Sequence, residues 1–416
     1  MRLPVKTRIA LYLIEEGCGA STNIMPGFSP PRQPGADKGF EPMGASHRIE
    51  TLDGLRSVAV LGVVLYHYFV RFAATGGGPA LYPYANVYAE FPIAKYGFMG
   101  VQLFFVVSGF VIAMTLERCR TMSEFYLRRF ARIWPPLLVC SIITMVVLQV
   151  IDTNFAAQRR ATMADFVPSL TMTSPRLWQW LSYNIKYVDA AYWSLFVEVR
   201  FYFYAAIIYH WSAQGKFLRN YIIFAVAGVL LAMLCRALLQ DEKWYLVIEA
   251  LFYPEHTLWF AAGILFYEMW NGGLRMMKAL TLLALGFVPL VYMLCTVHPD
   301  SSIVALAAIS LIILSLFVVF VARPALLAPL RSRPVLWIGT ASYSVYLLHQ
   351  NVGLGFISLI PRELPLWLQL VLVAAIFGAL LFVARMVFVF IEQGGKTLVL
   401  RSLLRWTVPA SGTQEP

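Results

Sequence analysis

"RIETLDGLRSVAVLGVVLYHYF", Arg48–Phe69, places conflicting demands on one stretch of chain. From Leu55 onward it reads as a helix made for hydrocarbon, yet Asp53, Arg56 and His67 are ionisable. A helix turns about 100° per residue, so the step from Arg56 to His67 closes three turns with about 20° left over. The two side chains lie on one face, about 16 Å apart along the axis. Asp53 stands three residues before Arg56 and can pair with it. One face therefore carries an ion pair at one surface and an imidazole inside the membrane. A charge in hydrocarbon costs about 2.5–3.5 kcal/mol on insertion scales, and ionisable groups there are functional candidates by default. The structural alternative is a snorkelling arginine and a histidine bonded to a neighbouring helix.

The rest of the chain agrees with a membrane reading. Of its 416 residues 59% are apolar and only 13% charged, about half the charge of a soluble domain. The apolar runs are helical in length, far longer than the roughly 10 residues of a barrel strand. Ten spans are predicted, at 55–71, 97–116, 134–151, 191–210, 220–239, 256–270, 279–297, 303–321, 335–358 and 366–390. The expected fold is an all-α polytopic membrane protein of about ten transmembrane helices. Lys and Arg number 22 in the segments on the side of the termini and 8 on the other, which places both termini in the cytoplasm. The net charge of +11 is thus a topology signal, not a sign of nucleic-acid binding.

Residues 1–46 are Pro- and Gly-rich and read as a disordered cytoplasmic tail. The membrane domain takes 47–392, and 393–416 form a cytoplasmic C-terminal tail. The five cysteines are scattered and form no C-x-x-C, so neither a disulfide framework nor a metal site is expected. Two outer loops are long, about 72–96 and 152–190. The second is rich in aromatics, which suit the membrane interface and also stack on sugars.

Other spans carry polar groups at a similar level. In "YWSLFVEVRFYFY", 192–204, Ser194, Glu198 and Tyr202 are four apart and share a face. "YSVYLLHQN", 343–351, holds His349. By helical rise Glu198 lies about 18 Å and His349 about 14 Å above the inner interface. Glu198 beside His67 would orient the ring and stabilise its charged form. In "FYLRRFARIWPP", 125–136, Arg128, Arg129 and Arg132 follow Tyr126 on the cytoplasmic side. A stop-transfer cluster explains one or two of them. Three also suit a phosphorylated ligand, because guanidinium holds phosphate by forked hydrogen bonds. No Gly-rich phosphate loop is present, so side chains must grip any nucleotide-bearing ligand. "GFMGVQLFFVVSGF", 97–110, reads as a packing wall of small residues that includes Ser108.

"LDGLRSVAVLGVVLYH" resembles the first helix of the acyltransferase 3 family of bacterial membrane O-acyltransferases, with its basic residue, ten residues and histidine at Arg56 and His67. "GVQLFFVVSGFVI", "FYLRRFARIWP", "YWSLFVEVRFY" and "SYSVYLLHQ" resemble its later motifs in the family's order, over about 49–392. The chain departs from the family where Arg200 replaces an acidic or amide residue. The resemblance implies an enzyme of the bacterial inner membrane that moves an acyl group, commonly acetyl, from cytoplasmic acyl-coenzyme A to a hydroxyl of a carbohydrate or glycolipid. No permanently bound cofactor and no metal are expected.

The two readings fit one mechanism. His67 is the expected general base, Glu198 its orienting carboxylate, and Arg56 with Asp53 the pair nearer the donor. Arg128, Arg129, Arg132 and Tyr126 are expected to hold the donor. His349, Ser194, Tyr202 and Trp193 are candidates for the acceptor side or for support of the base. The competing class is a proton-coupled transporter or flippase, in which the same charges form a relay.

Overall fold

The computed structural model describes residues 45–73, 81–181, 183–239 and 242–394. The tails expected at 1–46 and 393–416, and Cys18, lie almost wholly outside these ranges. The principal helices are α1 (Ala45–Phe69), α2 (Gly100–Arg118), α3 (Met122–Val150), α4 (Trp193–Trp211), α5 (Phe217–Leu234), α6 (Glu242–Phe252) and α7 (Pro254–Trp270). They continue as α8 (Met276–Val297), α9 (Ile303–Ala322), α10 (Arg333–Thr340), α11 (Ser342–Leu348), α12 (Asn351–Ile357) and α13 (Leu366–Met386). No strand occurs among the described residues.

Six helical stretches are long and apolar enough to cross a membrane: Gly97–Arg118, Met122–Val150, Phe217–Leu238, Met276–Val297, Ile303–Ala322 and Leu366–Gln393. The chain is a multi-pass membrane protein. The first stretch is 78% buried within the protein, the other five only 22–39%. Those five offer apolar flanks to lipid, while α2 lies inside. α1, α4 and α7 cover three more of the expected spans. α7 has only 17 residues, and its run from Trp259 to Tyr267 is buried without a break. α1 and α4 carry the ionisable groups that seek protein partners.

Two expected boundaries need correction. The stretch 335–358, read as one span, is broken into α10, α11 and α12. Gly339 packs so closely on the Asp53 carbonyl of α1 that a β-carbon would overlap it. α3 begins at Met122, twelve residues before the span expected at 134. Thr121 Oγ1 accepts from the Glu124 amide at 3.1 Å, and Glu124 accepts from the Arg120 amide at 2.9 Å. This cap starts the helix early, so the arginine cluster rides on α3 and not in a loop. Pro135 and Pro136 sit inside α3. They withhold the amides that the Ala131 and Arg132 carbonyls would otherwise accept from.

Another close crossing joins α2 and α7. At Gly109 and Gly263 the two backbones meet, and a methyl group at Gly263 would overlap the Val106 carbonyl and Gly109. Small residues allow this approach where lipid gives no hydrophobic drive between helices. We expect Gly263→Val to force the pair apart and destabilise the protein by about 1–3 kcal/mol or more. Thermal unfolding in detergent measures this. An unchanged transition would mean that the crossing is slack.

Candidate active site

A cavity of about 790 Å³, its open mouth included, lies among α1, α2, α3, α4 and α11. Arg56 of α1 and Arg129 and Arg132 of α3 face it, with Glu198, Tyr202 and Ser194 of α4 and Ser108 of α2. Its remaining lining is largely apolar, with Phe104, Phe105 and Ile133 among it. Three guanidinium groups and one carboxylate thus share a space inside an apolar bundle.

Three of the four cavity charges have hydrogen-bond partners. Arg56 Nη1 donates to Asp53 Oδ1 at 2.7 Å. Arg129 Nη2 donates to Thr115 Oγ1 at 2.5 Å, and its guanidinium lies 5.8 Å from the rings of both Phe125 and Tyr202. Glu198 Oε1 accepts from Ser108 Oγ at 2.5 Å and from Tyr202 OH at 2.6 Å. The i, i+4 spacing of Ser194, Glu198 and Tyr202 brings all three to the cavity.

His67 is held differently from the sequence expectation. The bonds of Glu198 run to Ser108 and Tyr202, and the imidazole partner of His67 is His349. His349 Nδ1 lies 2.6 Å from the Tyr346 carbonyl, so it carries a proton and donates. His349 Nε2 then has a lone pair, which accepts from His67 Nδ1 at 3.3 Å. The same His67 Nδ1–H donates to the Val63 carbonyl at 2.9 Å. This assignment places the lone pair of neutral His67 on Nε2, and the ring also has a side-chain hydrogen bond with Gln350. Sequence gives the height of a group along its helix but not its bearing toward another helix, which is why Glu198 was expected beside His67 and instead meets Ser108 and Tyr202.

Tyr346 links the histidines to the cavity. It lines the cavity, and its ring centroid is 5.2 Å from that of His349, which is 4.8 Å from that of His67. Tyr346 OH donates to the Ala191 carbonyl at 2.8 Å and accepts from Ser194 Oγ at 2.6 Å.

Sequence reasoning missed Asp189. Its carboxylate is fully buried just after the histidine, where the helix breaks. It accepts from Gln350 Nε2 at 2.9 Å, the Asn351 amide at 2.8 Å and the Ala191 amide at 2.9 Å. Burial raises its pKa to about 6, while the Ala191 and Asn351 amides and Arg159 oppose the rise. The signal was present in "DAAYWS": an acid just before a helix start is a capping residue.

The remaining expected residues fall elsewhere. Arg128 turns from the cavity to Glu124, at 2.7 Å. Tyr126 OH donates to the Phe203 carbonyl at 3.0 Å, and Trp193 packs its ring 5.2 Å from that of His256. Neither lines the cavity. Arg200 binds Glu249, by its carbonyl at 3.0 Å and its carboxylate at 3.3 Å, and so does not pair with Glu198.

The described residues thus bring together a cationic cavity and a partly buried histidine pair. Residues 49–384 match the acyltransferase domain of the acyltransferase 3 family, and the chain belongs to that family. The peptidoglycan O-acetyltransferase OatA of Listeria monocytogenes is 25% identical over 193 residues, which is 42% of this chain and 27% of the relative. The O-acetyltransferase OatA of Staphylococcus aureus is 28% identical over 180 residues, 40% of this chain and 25% of the relative. Each match thus spans about a quarter of the relative's own length. No solved structure matches the chain.

Asp189→Ala would strand three donors in a buried site, each at about 1–3 kcal/mol. We expect a clear drop in the unfolding temperature, and a smaller one for Asp189→Asn, which keeps an acceptor oxygen. Equal stability of Asp189→Ala and the native chain would show that the three bonds do not hold the helix break.

Proposed function

We propose that this protein is a bacterial inner-membrane O-acyltransferase that moves an acetyl group from acyl-coenzyme A to a carbohydrate hydroxyl. In this reading ten segments cross the membrane and both termini are cytoplasmic, in line with the Lys/Arg bias. Family membership supports the acyl transfer, and the names of the OatA relatives support acetyl and a glycan acceptor. The observation that carries the reading is that Arg56, Arg129 and Arg132, from two helices, face one cavity. Guanidinium groups in that setting suit the phosphates of a nucleotide-bearing donor.

The chemistry follows from the histidine pair. His67 Nε2 takes the proton of the acceptor hydroxyl as its oxygen attacks the thioester carbon. The C–S bond breaks, and the thiolate of coenzyme A leaves with the proton that His67 returns. While His67 is charged, its Nδ1–H stays bonded to His349 Nε2 and the Val63 carbonyl. His349 thereby does the orienting work that a carboxylate does in a triad.

Membranes given labelled acetyl-coenzyme A should transfer label to saccharide. His67→Ala should lose about 10²–10⁴-fold of that rate. His67→Gln should stay inactive, since an amide hydrogen-bonds but takes no proton. An active His67→Gln protein would remove the histidine from the base role.

Arg129→Ala and Arg132→Ala should each raise the KM for acyl-coenzyme A roughly 10–150-fold, the loss of one charged contact. Arg128→Ala, facing Glu124, should leave it near native. Equal effects at all three positions would argue for topology signals instead of a donor site.

Reporter fusions after residues 215 and 400 should read cytoplasmic, and those near 85 and 170 periplasmic. An outward C-terminus would sink the ten-span topology.

A further inference from the structure

Two arginines at the Phe72 end of α1 have no part in the cavity. Arg71 follows α1, and its amide donates to the Tyr66 carbonyl at 2.9 Å. Arg159 ends the short helix Asn154–Arg159 in the long loop. Both flank the Phe72 ring: the guanidinium carbon of Arg71 is 5.6 Å and that of Arg159 4.8 Å from its centroid. Arg159 also lies 4.1 Å from the Phe155 ring, and Phe72 and Phe155 meet edge to face at 6.1 Å.

This pair is coupled to the turn that carries His67. Tyr82 OH donates to the His67 carbonyl at 2.5 Å and accepts from the Phe72 amide at 3.0 Å. Among the described residues neither guanidinium forms a salt bridge. The carboxylate that acts on Arg159 is Asp189, whose oxygens are already bonded to Gln350, Asn351 and Ala191. Burial lowers the pKa of Arg159, Asp189 partly offsets this, and the like charge of Arg71 lowers it further. Two cations lie against one aromatic ring, and among the described residues neither guanidinium has a hydrogen-bond partner. Stacking satisfies the face of a guanidinium, not its N–H groups. An oxyanion between them would satisfy both edges and relieve the repulsion.

We propose that Arg71 and Arg159 form an oxyanion site beside His67, and that the acceptor is a saccharide bearing a carboxylate or phosphate. This rests on the acyltransferase reading for the word acceptor, but the site itself is testable by binding alone.

The probes are a hexuronate tetrasaccharide, a glycerol-phosphate-substituted tetrasaccharide and the unsubstituted neutral tetrasaccharide. They are titrated calorimetrically into the purified full chain in nonionic detergent. At least one anionic probe should bind tenfold or more tightly than the neutral one, and less tightly as salt rises. Arg71→Gln and Arg159→Gln should each weaken that binding by about tenfold. Arg159→Lys, which keeps the charge, should retain most of it. Equal binding of all three probes, or full affinity in both Gln variants, would overturn the site. So would vesicle binding that requires phosphatidylglycerol and both arginines while the saccharides show no charge preference, since the occupant would then be a lipid headgroup. Anionic binding that survives in the His67→Gln protein supports the site even where acyl transfer fails. Acetyl transfer to neutral saccharide with both Gln variants unaffected would remove the site and leave the transferase reading standing.

Discussion

An ionic group inside an apolar bundle has to be met by protein, because hydrocarbon offers it nothing. Much of the inner architecture follows from that constraint. Arg56 is met by Asp53 on its own helix. Glu198 of α4 is met by Ser108 of α2 and Tyr202, and Arg129 of α3 by Thr115 of α2. Arg200 is met by Glu249 of α6, and His67 of α1 by His349 at the end of α11. Most of these ties join two helices. They fix rotation about the helix axes, which apolar packing leaves only weakly determined. α2, which meets two of these groups, is the most deeply buried of the long apolar stretches, while α3 carries Arg129 inward and keeps an apolar flank outward.

Legibility followed the range of the interaction. Relations within one helix could be read directly: Arg56 with Asp53, and the common face of Ser194, Glu198 and Tyr202. The sorting of the arginine cluster was also within reach. Thr121 and Glu124 form a start signal three residues apart, and with α3 begun there Arg129 and Arg132 share a face. Arg128, four residues after Glu124, turns to it as an i, i+4 pair. Starting the third span only at 134 hid that distinction. Relations between helices were not legible. Similar heights for His67, Glu198 and His349 suggested that the carboxylate meets His67, and the bundle gave it to neither ring. Asp189 was passed over because a loop acid looks solvated, and only the tertiary fold buries it against the helix break.

That break matters to the site more than a continuous span would. A helix through 335–358 would hold the amide of Asn351 in its own ladder. Instead the amide bonds to Asp189, and the chain turns just after His349. Tyr192 OH donates to the Leu347 carbonyl at 3.1 Å, and Tyr346 to Ala191. The segment 189–194 thus clamps α11 from one side, while α1 receives His349 on the other. Rigid support of this kind suits a group whose lone pair must keep its direction.

The spacing on α1 then constrains how any reaction here proceeds. Arg56 and His67 stand about 16 Å apart along one helix face, and the arginines and histidines are joined through the cavity and Tyr346. A donor held by its phosphates at the arginines does not place its acyl carbon there. On the proposed reading the flexible arm of the donor must climb the apolar cavity, past Ser194 and Tyr346, to bring the thioester to His67. The acceptor then enters from the far end of α1, where Phe72, Tyr82 and the two outer arginines lie. On that reading donor and acceptor approach the base from opposite ends of the helix. Such a layout lets a charged donor and a polar acceptor react without either crossing the hydrocarbon whole.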